Sequence, residues 1–195
     1  MGTRISREFD FLAAVYFEGN FLLNNYSLSL TFTVETDSIH EQNIAMDRMK
    51  FFINDILENC VFVQDTETKV IEKYQAAGLK VCSVPEEPYD QIITVLLLYK
   101  LNAICEGRLV ATDIQLNSML SDEVGFLYDI DDLTNTHPYK YGWWTDNSTS
   151  FNNISTGKKE KIVKLVKKND WASLGLDWKG KESCSEIIFT PEIEK

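Results

Sequence analysis

The sequence predicts an α+β fold: an antiparallel sheet with helices on one face, followed by a C-terminal extension. Three observations predict it. Apolar residues alternate over residues 9–36, recur at helical spacing over residues 38–57, and alternate again over residues 108–128. Alternation is typical of a half-buried strand, whereas recurrence every three to four residues is typical of an amphipathic helix. A chain of 195 residues has room for one such domain and an appendage.

A long hairpin opens the predicted sheet. Its first strand places five apolar side chains on one face, and its second strand, from about residue 21 to residue 36, does the same (Phe9, Phe11, Ala13, Val15 and Phe17; Tyr26, Leu28, Leu30, Phe32 and Val34). Glu18-Gly19-Asn20 lies between them and favours a tight turn, because Gly and Asn tolerate positive φ angles.

The helical layer follows the hairpin. Ser38 and Glu41 have the spacing of a capping box at a helix start. A second helix is predicted over residues 66–77, and Leu79–Ser83 forms a short strand or connector. A third helix begins at Pro88, is apolar almost all round over residues 92–104, and precedes two further strands. The predicted order is therefore β-β-α-(α)-α-β-β.

Charge divides the chain. The formal net charge is −11, which argues against direct binding of nucleic acid or of an anionic membrane surface. Residues 1–156 hold 10 basic and 23 acidic side chains, whereas residues 157–195 hold 9 and 7. We therefore expect an acidic α+β domain over residues 1–146. Residues 147–195 then comprise a Ser/Asn loop, a basic amphipathic helix within residues 157–168 and a docked tail.

The sequence also predicts a cytoplasmic protein. No apolar stretch approaches the roughly 20 residues of a membrane span, and the first residues lack the apolar core of a secretion signal. The four cysteines are widely spaced and form no C-x-x-C pair, which favours buried, reduced thiols.

Three short segments indicate a family. Leu22-Leu23-Asn24-Asn25-Tyr26 is similar to a His-Gly-His-Asn-Tyr motif that opens a second strand. Asn43–Asp47 looks like a Gly-Met-Val-Ile-Asp segment, and Pro88–Gln91 is placed like a Pro-Thr-Ala-Glu-Asn helix start. With the order of elements, these segments make residues 9–128 resemble the tunnelling fold (T-fold, β-β-α-α-β-β) of the 6-pyruvoyl-tetrahydropterin synthase and 6-carboxy-tetrahydropterin synthase family.

The resemblance implies a homo-oligomer, because family members assemble into barrels, but the family's chemistry is missing. Leu22 and Asn24 stand where two zinc-binding histidines belong. Glu58-Asn59 replaces the Asp-His pair that transfers protons, and Leu116-Asn117 lies where a glutamate anchors the pterin ring. The sequence therefore predicts no metal, no cofactor and no catalytic residue.

Two functions remain open at this point. The resemblance implies a non-catalytic protein that binds a purine- or pterin-like molecule through Asn24, Tyr26, Asn59 and Asn117, or binds a protein partner. The alternative is an acidic, possibly viral, interaction protein that inhibits or sequesters a defence or nucleic-acid-binding partner through its negative surface.

Other candidate residues have plainer interpretations. His40 and His137 are expected to be exposed, and Cys60 is expected to be a buried thiol in an apolar run. The acid-rich residues 122–132 suit a solvated loop better than a calcium site. The aromatic residues within 139–144 are expected to pack across an open edge of the core, although they also suit stacking on a ligand.

Overall fold

The computed structural model describes residues 4–121, 124–131, 141–149 and 170–179. The strands are β1 (Arg4–Phe17), β2 (Asn20–Val34), β3 (Cys60–Gln64), β4 (Lys80–Val84), β5 (Leu109–Ser118) and β6 (Gly125–Asp129), and the helices are α1 (Ile39–Phe51), α2 (Thr68–Ala76) and α3 (Asp90–Cys105). A π-helical segment, Phe52–Leu57, continues α1. The predicted α+β class is confirmed.

The β1–β2 hairpin is built as its sequence predicts. Phe17 pairs with Asn20, which leaves Glu18 and Gly19 as a two-residue turn. Both have positive φ angles, 47° and 82°. This geometry matches the twist of the two strands, and Gly19 adopts it without the steric penalty that a Cβ atom imposes.

One face of the sheet carries the main core. The inward side chains of the hairpin are buried against α1 and α3 (Phe11, Ala13, Val15, Tyr26, Leu28, Leu30 and Phe32). α3 contributes apolar side chains around most of its circumference, as expected for a helix that packs between a sheet and other elements. The predicted helical layer therefore lies on this face.

The other end of the sheet differs from the prediction. The strand order is β4-β3-β1-β2-β5-β6, and β3 runs parallel to both β1 and β4, so the sheet is only partly antiparallel. Parallel neighbours need a crossover connection, which α2 supplies between β3 and β4. α2 consequently packs on the face opposite to α1 and α3, where its apolar side chains contact Ala14, Val61, Val63 and Val81.

Residues 170–179, which we call the strap, pack against α1 and the end of α3. The guanidinium of Arg48 lies between the rings of Trp171 and Trp178, at 4.8 and 3.7 Å from their centroids. Arg48 also donates from Nε to the Leu176 carbonyl at 2.8 Å and from Nη1 to Glu106 Oε1 at 2.9 Å. The strap is thus held by a buried cation. The predicted basic helix within residues 157–168 lies outside the described residues.

A second buried cation fixes residues 141–149. Lys100 Nζ donates to the carbonyl oxygens of Trp143, Asp146 and Ser148 at 2.9, 2.6 and 2.8 Å. Trp143 and Trp144 are buried, and the Trp143 indole donates to the Ser83 carbonyl. These two tryptophans therefore pack on the core, as the plainer interpretation of the aromatic cluster expects.

Among the described residues, no helix is long and apolar enough to cross a membrane.

Candidate ligand-binding site

A group of polar side chains is buried at one end of the sheet, where β2 begins, β5 ends and α3 starts. We call it the Asp90 cluster; its members are Asn24, Tyr26, Asp90, Ser118 and Ser121. Pairing of β2 with β5 sets Tyr26 opposite Ser118. Asp90 is the first residue of α3, where the positive end of the helix dipole favours a carboxylate.

Asp90 is the centre of the cluster. Its side chain is only 9% exposed, and its Oδ2 atom accepts hydrogen bonds from the hydroxyl groups of Ser118, at 2.6 Å, and Ser121. Among the described residues no hydrogen bond of regular geometry is made to Oδ1, although the Tyr26 hydroxyl lies near the carboxylate. One carboxylate oxygen therefore has two partners, while the other keeps its capacity to accept.

Two hydrogen-bond donors in the cluster lack a well-formed hydrogen bond. Asn24 Oδ1 accepts the Leu120 amide at 3.1 Å, which fixes the orientation of the side-chain amide. Its Nδ2 atom and the Tyr26 hydroxyl are both buried and make no hydrogen bond of regular geometry, although the hydroxyl lies close enough to the Asn24 and Asp90 side chains to interact with both. An unsatisfied buried polar group costs about 1–3 kcal/mol, so such groups are rare unless they meet a water or a ligand.

Tyr26 is a neutral donor. Its ring stacks on Phe11 with centroids 4.9 Å apart and is fully buried. Burial raises the pKa of Tyr26 far above its usual range, and the neighbouring Asp90 carboxylate raises this pKa further. The hydroxyl therefore keeps its proton at any physiological pH and donates to whatever acceptor approaches it.

Four large apolar side chains adjoin the cluster residues along the chain, and we call them the apolar rim. Leu22, Tyr89, Met119 and Leu120 are all exposed, although their side chains are large and apolar. Tyr89 makes an edge contact with Phe17, 5.2 Å between centroids. A few convergent polar groups beneath an apolar rim are typical of a small-molecule site.

Of the four residues predicted to bind a ligand, the structure brings only Asn24 and Tyr26 together. Asn59 is exposed in the turn before β3, has a φ of 61°, and donates its backbone N–H to the Leu12 carbonyl. Asn117 faces the opposite side of the sheet from Tyr26, where its Oδ1 accepts from Gln115 and its amide lies across Gly125. Neither belongs to the Asp90 cluster.

Sequence reasoning missed Asp90, Ser118 and Ser121. An acidic residue such as Asp90 is common at the start of a helix, and Ser118 simply follows the alternating residues of a strand. The one available signal was the placement of Pro88–Gln91, which is similar to a family motif with a carboxylate at the helix start. Nothing local to Ser118 or Ser121 indicates that they reach Asp90.

Thiol chemistry is disfavoured. Cys60, Cys82 and Cys105 are free and buried. Burial raises the pKa of each thiol, to about 12 for Cys105, so all three stay protonated at neutral pH and are poor nucleophiles. His40 is exposed in the first turn of α1, and His137 lies outside the described residues.

Metal ligands do not converge in the part of the chain that the structure describes: no three His, Cys, Asp or Glu side chains come together. Of the acid-rich segment, Asp129 and Asp131 are described, and the Asp131 amide donates to Asp129 Oδ1 at 2.8 Å.

Comparison with known proteins finds similarity at the level of fold. No protein-family model and no curated protein sequence matches the chain. An uncharacterized protein from Wolinella succinogenes is 11% identical over 67% of this chain and 99% of its own, with a TM-score of 0.47. The 6-pyruvoyl tetrahydropterin synthase of Plasmodium vivax is 12% identical over 66% of this chain and 97% of its own, with a TM-score of 0.40.

The corresponding synthase of Plasmodium falciparum is 13% identical over 66% of this chain and 99% of its own, with a TM-score of 0.37.

Proposed function

We propose that the protein is a non-catalytic, pterin-synthase-like homo-oligomer that binds a planar purine- or pterin-like molecule at the Asp90 cluster. One observation carries the proposal: two buried donors that lack a well-formed hydrogen bond, Asn24 Nδ2 and the Tyr26 hydroxyl, lie beside the Asp90 carboxylate.

The chemistry of the cluster suits the edge of a nitrogen heterocycle. Such an edge presents acceptors, a ring nitrogen or a carbonyl oxygen, next to N–H donors. Asn24 and Tyr26 donate to the acceptors, and Asp90 accepts from the donors. The apolar rim, Leu22, Tyr89, Met119 and Leu120, then covers the ring faces and keeps water from the hydrogen bonds.

Loss of catalysis is supported by the residues that replace the family's reactive groups. Leu22 has no atom that binds zinc, and Asn24 uses its only side-chain oxygen to accept the Leu120 amide. The described thiols are kept protonated by burial, so they do not replace a nucleophilic cysteine.

Assembly is supported by the edge of the sheet. Among the described strands β6 lies at an edge of the sheet, so one side of its backbone pairs with none of them. Leu127, in the middle of β6, is 68% exposed. Pairing with a second copy would satisfy these backbone groups and cover the leucine.

Native mass spectrometry of the protein as purified tests the proposal. We expect the mass of several chains plus a bound heterocycle, which denaturation releases and ultraviolet absorbance identifies as a purine or pterin. Asn24→Ala should lower ligand retention about tenfold or more, because a buried hydrogen bond is lost.

Gln115→Ala is the matched control, because Gln115 is an exposed amide on the other face of the sheet. It should retain ligand as the unmodified protein does. The proposal is wrong if no heterocycle is retained and none binds at saturating concentration.

A further inference from the structure

One face of the sheet is left uncovered over β2, β5 and β6 by the described helices. α1 and α3 pack on the opposite face, and α2 covers only the part of this one that is formed by β3, β4 and the end of β1. Over β2 the uncovered face consists of small hydroxyl side chains (Ser27, Ser29 and Thr31). Carboxylates line it on both sides (Glu8 and Asp10 on β1, Asp113 on β5 and Asp129 on β6). We call this surface the acidic face.

The four carboxylates of the acidic face have no cation beside them in the part of the chain that the structure describes. The ion pairs found there lie around α1 and the end of α3. Asp113 and Asp129 stand directly opposite each other in the β5–β6 ladder, where like charges repel. Asp113 Oδ2 accepts the Thr112 hydroxyl, and Asp129 Oδ1 accepts the Asp131 amide. A basic partner would neutralise this repulsion.

The chain holds a segment of complementary character. Residues 157–168 contain six lysines and four apolar residues (Ile162, Val163, Leu165 and Val166). At helical spacing the apolar residues form one stripe, with Lys161 on one border and Lys167 on the other. Such a stripe suits a floor of small side chains, and lysines on both borders match carboxylates on both sides of that floor.

Both ends of the loop that carries this segment lie against the helices. The Trp171 indole donates to the Asn147 carbonyl, and the Asn147 side chain donates to Glu106, just after α3. Trp171 also packs on Arg48 of α1. Residues 150–169 therefore leave and return at nearby points on the helical side of the sheet.

The reach of this loop decides which acidic face it can contact. A loop over residues 150–169 that returns to its start reaches about 33 Å if fully extended, and about 22 Å if residues 157–168 are helical. Its own acidic face lies beyond the helical layer and the sheet, each about 10 Å thick, and Asp113 lies about 13 Å further along β5. The acidic face of a second copy has no such restriction.

We propose that residues 157–168 of one copy dock on the acidic face of a second copy. Each copy carries both halves of the contact, because residues 1–156 are strongly acidic and residues 157–195 are slightly basic. The contact is independent of the Asp90 cluster and of its ligand. It shares with the proposed function the expectation of a homo-oligomer, and it adds a surface other than the β6 edge that joins the copies.

Cross-linking with a carbodiimide tests the contact, because this reagent joins an amine to a carboxylate only where the two groups touch. The sample is the full chain, assembled from isotope-labelled and unlabelled copies. We expect lysines within residues 157–168 to be joined to Asp113, Asp129 or Glu8. Some of the joined peptide pairs should combine one labelled and one unlabelled peptide, which only a contact between copies produces.

The variant Asp113→Asn/Asp129→Asn removes two of the four charges and keeps the shape of both side chains. Trypsin should cleave within residues 157–168 about fivefold faster in this variant than in the unmodified protein, because two surface ion pairs are lost. Raising the salt concentration from about 0.05 M to about 0.5 M should speed cleavage of the unmodified protein, since salt screens exposed charges.

Asp47→Asn/Asp55→Asn is the matched control, because both aspartates are exposed on α1 and its π-helical continuation, on the other side of the sheet. This variant should be cleaved at the rate of the unmodified protein. Equal cleavage rates in all three proteins would overturn the proposed contact.

The cross-links distinguish the remaining outcomes. Peptide pairs that always share one label would place the segment on its own chain, and links to Asp47 or Asp55 alone would place it on the helical side. Either result overturns the proposal. An oligomer without the expected links would overturn this contact alone, whereas a monomeric protein would overturn both the contact and the proposed assembly.

Discussion

Tyr26 has two separate roles in the structure. Its ring stacks on Phe11 within the core, while its hydroxyl lies beside Asn24 and Asp90 and makes no well-formed hydrogen bond. The ring therefore stabilises the folded state, whereas the buried hydroxyl lowers the free energy of unfolding unless a ligand or a water binds to it. A substitution that removes only the hydroxyl should therefore weaken ligand binding without lowering stability, whereas one that also removes the ring should lower stability.

The first prediction concerns Tyr26→Phe. We expect the free energy of unfolding to stay the same or to rise by up to about 1 kcal/mol, because an unsatisfied buried hydroxyl is removed. Ligand retention should fall in the same variant. Urea unfolding measures the first effect and native mass spectrometry the second.

Tyr26→Leu is the control, because it also removes the ring. It should lower the free energy of unfolding by about 1–3 kcal/mol, through the lost aromatic stack and the space left behind. A similarly large loss of stability in Tyr26→Phe would mean that the hydroxyl has a structural partner such as a bound water.

The second prediction concerns Lys100. Burial lowers the pKa of its ammonium group from 10.5 to about 8, although the nearby Asp146 carboxylate raises it. Between these two pH values the unfolded chain binds more protons than the folded chain, so the free energy of unfolding rises with pH. Below pH 8 Lys100 is protonated in both the folded and the unfolded state, so it adds nothing to the pH dependence of the free energy of unfolding.

Unfolding in urea at pH 7.5 and pH 10 checks this sign. Between these two pH values, the rise in the free energy of unfolding that Lys100 causes should be no more than about 3 kcal/mol. The Lys100→Met variant should lack this rise. The same pH dependence in both proteins would show that Lys100 is not its source.

At the scale of residues, the sequence could predict that Asn24 and Tyr26 face the core, but not which side chains lie beside them. Both lie on the inner face of a strand whose alternation is strict over residues 24–34, so their burial followed from the pattern. Asp90 meets Ser118 and Ser121 only because α3 packs across the ends of β2 and β5. Such contacts between distant segments leave no local signature.

The strap shows how one buried side chain can hold an element. Arg48 stacks between Trp171 and Trp178, and it also donates to the carbonyls of Leu176 and Ile104. Glu106 accepts from Arg48 and from Asn147. Burial lowers the pKa of Arg48, and the hydrogen bond to Glu106 opposes this effect and helps to keep the guanidinium charged.

The third prediction is that Arg48→Met releases the strap. The free energy of unfolding should fall by about 2–4 kcal/mol, since removing one partner leaves the carbonyls and Glu106 without their donor. Limited proteolysis should then cleave within residues 170–179 faster than in the unmodified protein.

Lys50→Met is the matched control. Lys50 lies on the same helix, but its ion pair with Asp47, at 3.2 Å, is exposed. We expect a change below about 0.5 kcal/mol and no change in proteolysis. Unaltered cleavage of Arg48→Met would mean that the two tryptophans hold the strap without the arginine.

At the scale of elements, the sequence predicted the hairpin and the long helices but not β3. The hairpin has a clear alternation and a Gly-containing turn, and α3 is a long apolar run. β3 is a run of five residues buried on both faces, which has no alternation to separate it from a helix. The preceding π-helical segment continues α1 as far as Leu57, so that Asn59, with its φ of 61°, is the main local signal that the helix ends before β3.

The fourth prediction concerns the whole molecule, which we expect to be a homo-oligomer that uses the β6 edge. Leu127→Lys should shift the assembly towards monomers, because a charge on the exposed edge opposes pairing with a second strand. Light scattering at micromolar concentration measures the mass.

Ile39→Lys is the control, since Ile39 is equally exposed but lies at the start of α1. It should leave the mass unchanged. A monomeric unmodified protein would contradict the prediction of assembly, and equal masses in both variants would place the contact elsewhere.

The mixed topology of the sheet has a kinetic consequence. A two-residue turn joins β1 to β2, so the loop that must close before these strands pair costs little entropy. Pairing of β1 with β3 instead requires closure of the long loop between Ala13 and Cys60. We therefore expect the hairpin to form in the folding transition state and the parallel strands to join after it. In stopped-flow experiments, Gly19→Ala should mainly slow folding, because its strained φ weakens the early hairpin, while Val81→Ala should mainly speed unfolding.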